Sequence, residues 1–314
     1  MIDTIKGYIE LSQYKYEDVK HLLNDATINK SKNTFTSNLS NFRFTIKFDE
    51  NQNPIKLSFN GSLPKFHHGN NLAQLDWETI EKAINELSDN LGINLNEATL
   101  TRIDIAVNLI LEKTVNNYIH NFYKNRNSGT LIYNSSKTFL SETTDISFYD
   151  KLEEIKRKDK HTFKKISDLI KDKNILRYEL RLKKNLKHYF NLNELLVKDL
   201  LKKNIQNKII DLWAKHYSKV NKHKFINAPI LLLARRNGLK EYLSYRGLKI
   251  TGIEKTIQII QSADFPVKDI YSKRSKMKKS LNKFIQEIDN QLLEENLMTE
   301  LDSKILLLSK LLKQ

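Results

Sequence analysis

The chain contains no cysteine. That excludes disulfides, thiolate metal ligands and a cysteine nucleophile. Glycine is scarce, with 8 in 314 residues, so loops that cradle phosphates through bare backbone have little material. Neither a P-loop nor a dinucleotide fingerprint occurs. No apolar run approaches the ~20 residues of a membrane span. The opening MIDTIKGYIELSQYKYEDVK alternates and carries charge early, unlike a secretory signal. These absences lead us to expect a cytoplasmic protein with no membrane partner. Negative charge is the last shortage: 37 Asp+Glu stand against 53 Lys+Arg, a formal net charge of +16. Such a surplus points to a polyanion, with nucleic acid the first candidate. A coding bias toward Lys, Asn and Ile is the plainer source of the same surplus.

Apolar residues make up 39% of the chain, enough for a sizeable core, and the length suits one large domain or two ordinary ones. The first part is rich in strands. DTIKGYIEL alternates, and residues 42–50 and 54–63 are alternating runs joined by NQN, a hairpin signal. Residues 75–93 repeat apolar positions at helical spacing (Ile80, Ala83, Ile84, Leu87), with Gly92 near the end. ATLTRIDIAVNLIL reads as a strand, 114–124 as a helix, TLIYNSS and TDISFYDK as short paired strands, 153–173 as a polar helix and 174–184 as a strand. Beyond about residue 185 the periodicity turns helical. One long stretch breaks near 204–206, and another starts at Asn227 and Pro229, a cap and a first-turn proline. The latter could form a helix-turn-helix with GIEKTIQIIQS or an ordinary helix pair. We therefore expect an α+β domain over 1–190, an antiparallel sheet flanked by helices, and an all-α region over 191–314.

Three strands carry an unusual second face. In TRIDIAVN, Ile103, Ile105 and Val107 point one way, and Arg102, Asp104, Ala106 and Asn108 the other. In LRYELRLKK, Leu176, Tyr178, Leu180 and Leu182 oppose Arg177, Glu179, Arg181 and Lys183. In DISFYDK, Ser147, Tyr149 and Lys151 share a face. The plain alternative is a wet sheet face decorated with cross-strand ion pairs. If the strands are neighbours, however, the acids Asp104 and Glu179 suit Mg²⁺ or Mn²⁺. Tyr149 is then a candidate nucleophile for a phosphodiester, and the arginines and lysines would hold phosphates. Lys151, read as sharing the Tyr149 face, would ease phenolate formation. Tyr133 is the competing nucleophile.

The ordered set GSLPKFHHGNNL (61–72), TRIDIAVN (101–108), TLIYNSS with ISFYDK (130–151) and ILRYELRLKK (175–184) resembles the replication initiators of filamentous phages, gene II/X type, and related plasmid rolling-circle initiators. The resemblance spans roughly residues 1–190. It implies an HUH-like endonuclease fold that nicks one DNA strand at an origin through a tyrosine–5′-phosphate bond. By motif position Tyr149 would be the nucleophile, Asp104 and Glu179 the metal-side carboxylates, and Arg102 and Lys151 their companions. In KFHHGNN the Gly-His-Asn of phage relatives is replaced by Gly69-Asn70, which removes the family histidine. His67 and His68 could supply an imidazole. Lys65, His68, Asn70, Asn71, Arg177 and Arg181 would touch DNA around the site. So would Lys273, Arg274, Lys276, Lys278 and Lys279 in the basic stretch 268–284, which reads equally as a solvated helix face. Partners would be origin duplex, exposed single strand and a host helicase. A non-catalytic DNA-binding regulator is the alternative.

Overall fold

The computed structural model describes residues 1–24, 26–167, 170, 172–222, 236–263, 269–291 and 297–313. Its strands are β1 (Ile2–Glu10), β2 (Thr27–Asn29), β3 (Thr34–Leu39), β4 (Phe42–Phe48), β5 (Pro54–Ser62), β6 (Thr99–Leu111), β7 (Phe122–Lys124), β8 (Gly129–Tyr133), β9 (Ser136–Leu140), β10 (Thr144–Asp150), β11 (Asn174–Leu182) and β12 (Asn221–Lys222). Its helices are α1 (Tyr16–Val19), α2 (Leu63–His68), α3 (Trp77–Leu91), α4 (Val115–Ile119), α5 (Lys151–Lys158), α6 (Lys160–Ile166), α7 (Leu186–Phe190), α8 (Lys203–Ser218), α9 (Gly238–Thr251), α10 (Ile253–Ser262), α11 (Ile270–Gln291) and α12 (Leu297–Leu311). Ten strands form one antiparallel sheet in the order β2-β3-β4-β5-β1-β6-β11-β10-β9-β8. This is the expected α+β architecture, a large antiparallel sheet with flanking helices and a helical C-terminal region.

Alternation decides which face is buried. Along β4, Phe42, Phe44, Ile46 and Phe48 are buried, while Arg43 and Lys47 between them are exposed. The apolar face continues through Ile103, Ile105 and Val107 of β6 and Leu176, Tyr178, Leu180 and Leu182 of β11. Helix α3 covers it with Ile80, Ala83, Ile84, Leu87 and Leu91. Asp76 caps the start of α3 by accepting from the Thr79 N–H at 2.7 Å. Gly92, at φ +61°, ends it in the left-handed conformation glycine tolerates best. An aromatic column runs through the same core. Phe122 stacks on Phe148 at 3.7 Å, Phe148 on Tyr178 at 4.9 Å and Tyr178 on Trp213 of α8 at 5.1 Å between ring centroids.

The main core draws on both sides of residue 190, since Leu195, Trp213, Tyr217, Met298, Leu301 and Ile305 join it. Helix α12 is tied down by polar contacts as well. Tyr118 donates to Glu300, Tyr217 to Asp302 at 2.6 Å, and Lys304 to the Ile110 carbonyl at 2.6 Å. A second, smaller cluster gathers Tyr245, Leu248, Ile253 and Ile285 from α9, α10 and α11. The buried ion pair between Lys137 of β9 and Glu254 of α10, 3.0 Å long, links it to the sheet.

Several boundaries differ from the sequence reading. Residues 114–124 are not one helix: α4 stops at Ile119, and Phe122 enters β7, because its ring fills the core against Phe148. The strands at TLIY and TDISFYD are not direct partners, since β9 lies between them. Lys137, a charged residue at a buried position, hides the alternation of β9. The C-terminal break falls at Lys202, which is extended (φ −80°, ψ 126°), rather than at 204–206. Lys151 is not on a strand. Strand β10 ends at Asp150, whose carboxylate accepts from the N–H groups of Leu152 and Glu153 and so starts α5. The helix start expected at Asn227 and Pro229 lies outside the described residues.

Candidate active site

Register brings the three unusual strands together. Across β10 and β11, Tyr149 faces Arg177, Ser147 faces Glu179 and Asp145 faces Arg181. Across β11 and β6, Arg177 faces Asn108 and Arg181 faces Asp104. Directly paired residues share a face, so Tyr149, Arg177, Glu179, Arg181, Asp104 and Arg102 lie on one side of the sheet, opposite the core.

Their side chains form a diagonal chain of contacts. The Tyr149 hydroxyl donates to Glu179 Oε2 at 3.3 Å. Arg181 Nη2 donates to Glu179 Oε1 at 3.2 Å, while its Nε donates to Asp104 Oδ2 at 3.1 Å. Arg102 clamps the other side of Asp104 through Nε, 2.7 Å from Oδ1, and through Nη2 on Oδ2. Asp104 is buried, with 1% of its side chain exposed, so it needs these guanidiniums. Arg102 and Arg181 are partly open to solvent and have charge within reach of a ligand.

Arg177 differs from them. It was expected to touch DNA, but only 2% of its side chain is exposed. Its Nη2 lies 2.7 Å from Asp3 and its Nε 3.7 Å from Glu179. Nη1 donates to the Asn71 carbonyl and to Asn108 Oδ1. Arg177 is thus the buried cation beside the Tyr149–Glu179 pair. Burial pushes the Tyr149 phenol well above its ordinary pKa; Arg177 opposes this in part, and the charges of Glu179, Glu154 and Asp3 add to it. Burial also raises the Glu179 carboxyl, with repulsion from Asp104 and Asp3 adding to it and Arg177 and Arg181 opposing. A carboxylate so raised, with a phenol hydrogen-bonded to it, is placed to take the phenol's proton.

Lys151 does not sit beside the phenol as expected. It is buried at the start of α5, where Nζ donates to Asn71 Oδ1 and Glu154 Oε2, each at 2.7 Å. Burial and the Arg177 charge lower its pKa to about 8, against the pull of Glu154. Asn71 thereby joins Lys151, Arg177, Asn108 and Asp3 in one network. The rest of its segment faces elsewhere. Lys65 and His68 are exposed, Asn70 closes a local turn by accepting from the Leu72 N–H, and His67 pairs with Glu86 of α3 at 3.2 Å. Of the C-terminal cations, Lys273, Lys276, Lys278 and Lys279 are exposed on α11, while Arg274 donates to the Ala263 carbonyl.

Two site residues escaped the sequence reading. Strict alternation would send Asp3 to the core with Ile5. A register shift between Ile2 and Thr4 turns it to the polar side instead. Asp145, 2.7 Å from Lys183 and 3.9 Å from Arg181, has the same parity as Tyr149 and could have been found that way. Beside this network opens a cavity of about 580 Å³, lined by Tyr149, Glu179, Arg181, Ser147 and Tyr133, with Arg157, Lys158 and Lys160 on its helical wall.

Among the described residues no group of three or more acids and histidines is arranged around a metal position, so neither histidine joins Asp104 and Glu179. The two carboxylates alone still suit Mg²⁺ or Mn²⁺, since such ions are commonly held by one or two carboxylates plus substrate phosphate. Arg181 now bridges this hard-oxygen pair, the position a dication would share.

The site is thus a polar sheet face on which a half-buried Tyr149–Glu179 pair sits beside buried Arg177, with the partly open guanidiniums of Arg102 and Arg181 alongside. The family profile for the N-terminal part of the phage gene II replication-associated protein matches residues 1–203. The chain therefore belongs to this family, the gene II replication initiators of filamentous phages, which act in rolling-circle DNA replication. No curated protein and no solved structure matches the chain significantly. Among the described residues no helix is long and apolar enough to cross a membrane.

Proposed function

We propose that the chain nicks and rejoins one DNA strand at a replication origin, with Tyr149 as the nucleophile. The Tyr149 oxygen attacks the scissile phosphorus, and its proton passes to Glu179. The P–O3′ bond breaks, the departing 3′ oxygen takes up a proton from water, and Glu179 gives its own back to solvent. The products are a 5′-phosphotyrosine and a free 3′-OH that primes synthesis and leaves a strand for a host helicase to displace. One ester replaces another, so the reverse step closes the strand.

Arg177 stabilises the phenolate as the proton leaves. Arg102 and Arg181 face the phosphate's non-bridging oxygens, where bidentate guanidiniums bind best. Asp104 orients both. Asn71 and Lys151 hold the floor of the site against Arg177 and Glu154. A Mg²⁺ or Mn²⁺ ion held by Asp104 and Glu179 would draw further charge from the phosphate.

The observation that carries this reading is the 3.3 Å bond from the Tyr149 hydroxyl to Glu179 with Arg177 beside both, at the wall of an open cavity. Tyr133, the competing nucleophile, is 65% exposed and has no acid or buried cation bonded to its hydroxyl among the described residues. The test incubates the protein with supercoiled DNA of its own replicon and Mg²⁺ or Mn²⁺, then separates covalent adducts on a denaturing gel. Wild type should form adducts, and Tyr149→Phe should form none while still binding DNA. Intact DNA with wild type under every metal condition would leave a non-catalytic DNA-binding regulator.

A further inference from the structure

The contact chain that starts at Tyr149 does not end at Arg102. In the cross-strand register Arg102 of β6 faces Lys6 of β1, Lys6 faces Asn60 of β5, and Asn60 faces Arg43 of β4. These four residues form one straight rung on the polar face of the sheet. Lys6, Asn60 and Arg43 are exposed. Neither Lys6 nor Arg43 makes an ion pair among the described residues. The neighbours two positions away on the same face are neutral: Thr4 and Tyr8 on β1, Ser58 and Ser62 on β5, Thr45 on β4. Of the acids near this face, Glu10 is paired with Lys56 at 3.0 Å, Asp3, which bonds Thr4 and Ser62, is paired with Arg177, and Glu194 accepts from Thr99, the residue facing Tyr8. The acid next to Arg102, Asp104, is clamped by two guanidiniums. Two unpaired cations, Lys6 and Arg43, on either side of an amide, Asn60, suit a phosphodiester backbone.

We propose that Arg43, Asn60 and Lys6 form a phosphate-binding track that seats the DNA backbone flanking the scissile phosphate. The track rests on DNA being the substrate, not on Tyr149 being the nucleophile. Strands in a sheet lie about 4.8 Å apart, so the rung from β4 to β6 is about 14 Å long, and β4 to β10 spans about 24 Å. One strand can therefore lie across the sheet from Arg43 to the cavity beside Tyr149, with Arg102 and Arg181 along its way. Lys6 and Arg43 project from paired strands of the sheet, so their backbone positions are fixed relative to Arg102 and Arg181.

The test measures binding of a fluorescent 30-nucleotide single strand, and of the matching duplex, over a range of salt concentrations. For the Lys6→Gln/Arg43→Gln variant, the slope of log K against log salt should shrink by about 1.4 for single strand and about 1.8 for duplex. This is the loss of two phosphate contacts at roughly 0.7 and 0.9 each. Lys6→Arg/Arg43→Lys should restore the slope, which separates charge from any effect on folding. Tyr149→Phe should leave the slope at its wild-type value, so failure of the nucleophile assignment and failure of the track are read separately. An unchanged slope for both DNAs with Lys6→Gln/Arg43→Gln would overturn the proposal. So would transfer of the whole effect to a variant neutralised at Lys273, Lys276, Lys278 and Lys279.

Discussion

Replacing Arg177 with methionine should be among the most damaging single changes in the chain. The guanidinium is 2.7 Å from Asp3 and 3.7 Å from Glu179. At an effective dielectric of 20, those two attractions are about 6 and 4.5 kcal/mol in gross Coulomb terms. The cost of burying the charges cancels much of this, so the pairs add little net stability. Methionine removes the attraction and leaves both carboxylates buried. Breaking a buried pair from one side costs about 3–5 kcal/mol. We expect a loss of about 4 kcal/mol for Arg177→Met, a large part of the ~5–15 kcal/mol that holds a typical domain. Urea unfolding followed by circular dichroism measures it. Asp3→Asn in the Arg177→Met background should recover about 1–2 kcal/mol of that loss, since one stranded charge is gone. An Arg177→Met protein within 1 kcal/mol of wild type would refute the reasoning, because no buried charge would then have depended on Arg177.

Gly61→Ala should destabilise by about 1–3 kcal/mol, as for other overpacked cores, because the new Cβ would meet the Phe42 ring carbons at 2.4–2.6 Å; Phe42→Leu should relieve it in a urea titration of the double variant. Burial alone would raise the Glu154 carboxyl, but Lys151 and Lys158 hold it at about 2. The unfolded chain thus binds the proton first on acidification, so the stability from this pair is whole between about pH 4.5 and the Lys151 pKa of about 8 and is lost as pH falls toward 2. Urea midpoints at several pH values should show that slope flattened in Glu154→Gln. Arg181→Gln removes the cation lodged between Asp104 and Glu179. Mn²⁺ binding followed by electron paramagnetic resonance should tighten at least tenfold, or about 1.4 kcal/mol, and unchanged affinity would place the ion elsewhere.

The strands that carry the site were legible because their periodicity is strict. Ile103, Ile105 and Val107 against Arg102 and Asp104 fixed the faces of β6, and the same parity fixed β11. What stayed hidden was set by partners distant in sequence. Lys137 reads as a surface residue until Glu254 and the Phe122 carbonyl are seen to satisfy it in the core. Asp3 reads as inward until the shift in β1 turns it toward Arg177. Lys151 reads as a strand residue until the Asp150 cap is recognised, and an Asp before a Lys-Leu-Glu-Glu run is a signal that could have been used. Arg177 shared its face with Arg181, so sequence could not separate the buried one from the open one. Asn71 reaches the network only because the segment after α2 folds back across the ends of β1 and β6.

The most direct measurement is peptide mapping by mass spectrometry of protein trapped on cleaved DNA and digested to a short nucleotide remnant. The remnant should be carried by Tyr149. A remnant on Tyr133, or on any residue outside the Glu179–Arg177 cluster, would contradict the assignment of this half-buried phenol as the group that takes hold of the strand.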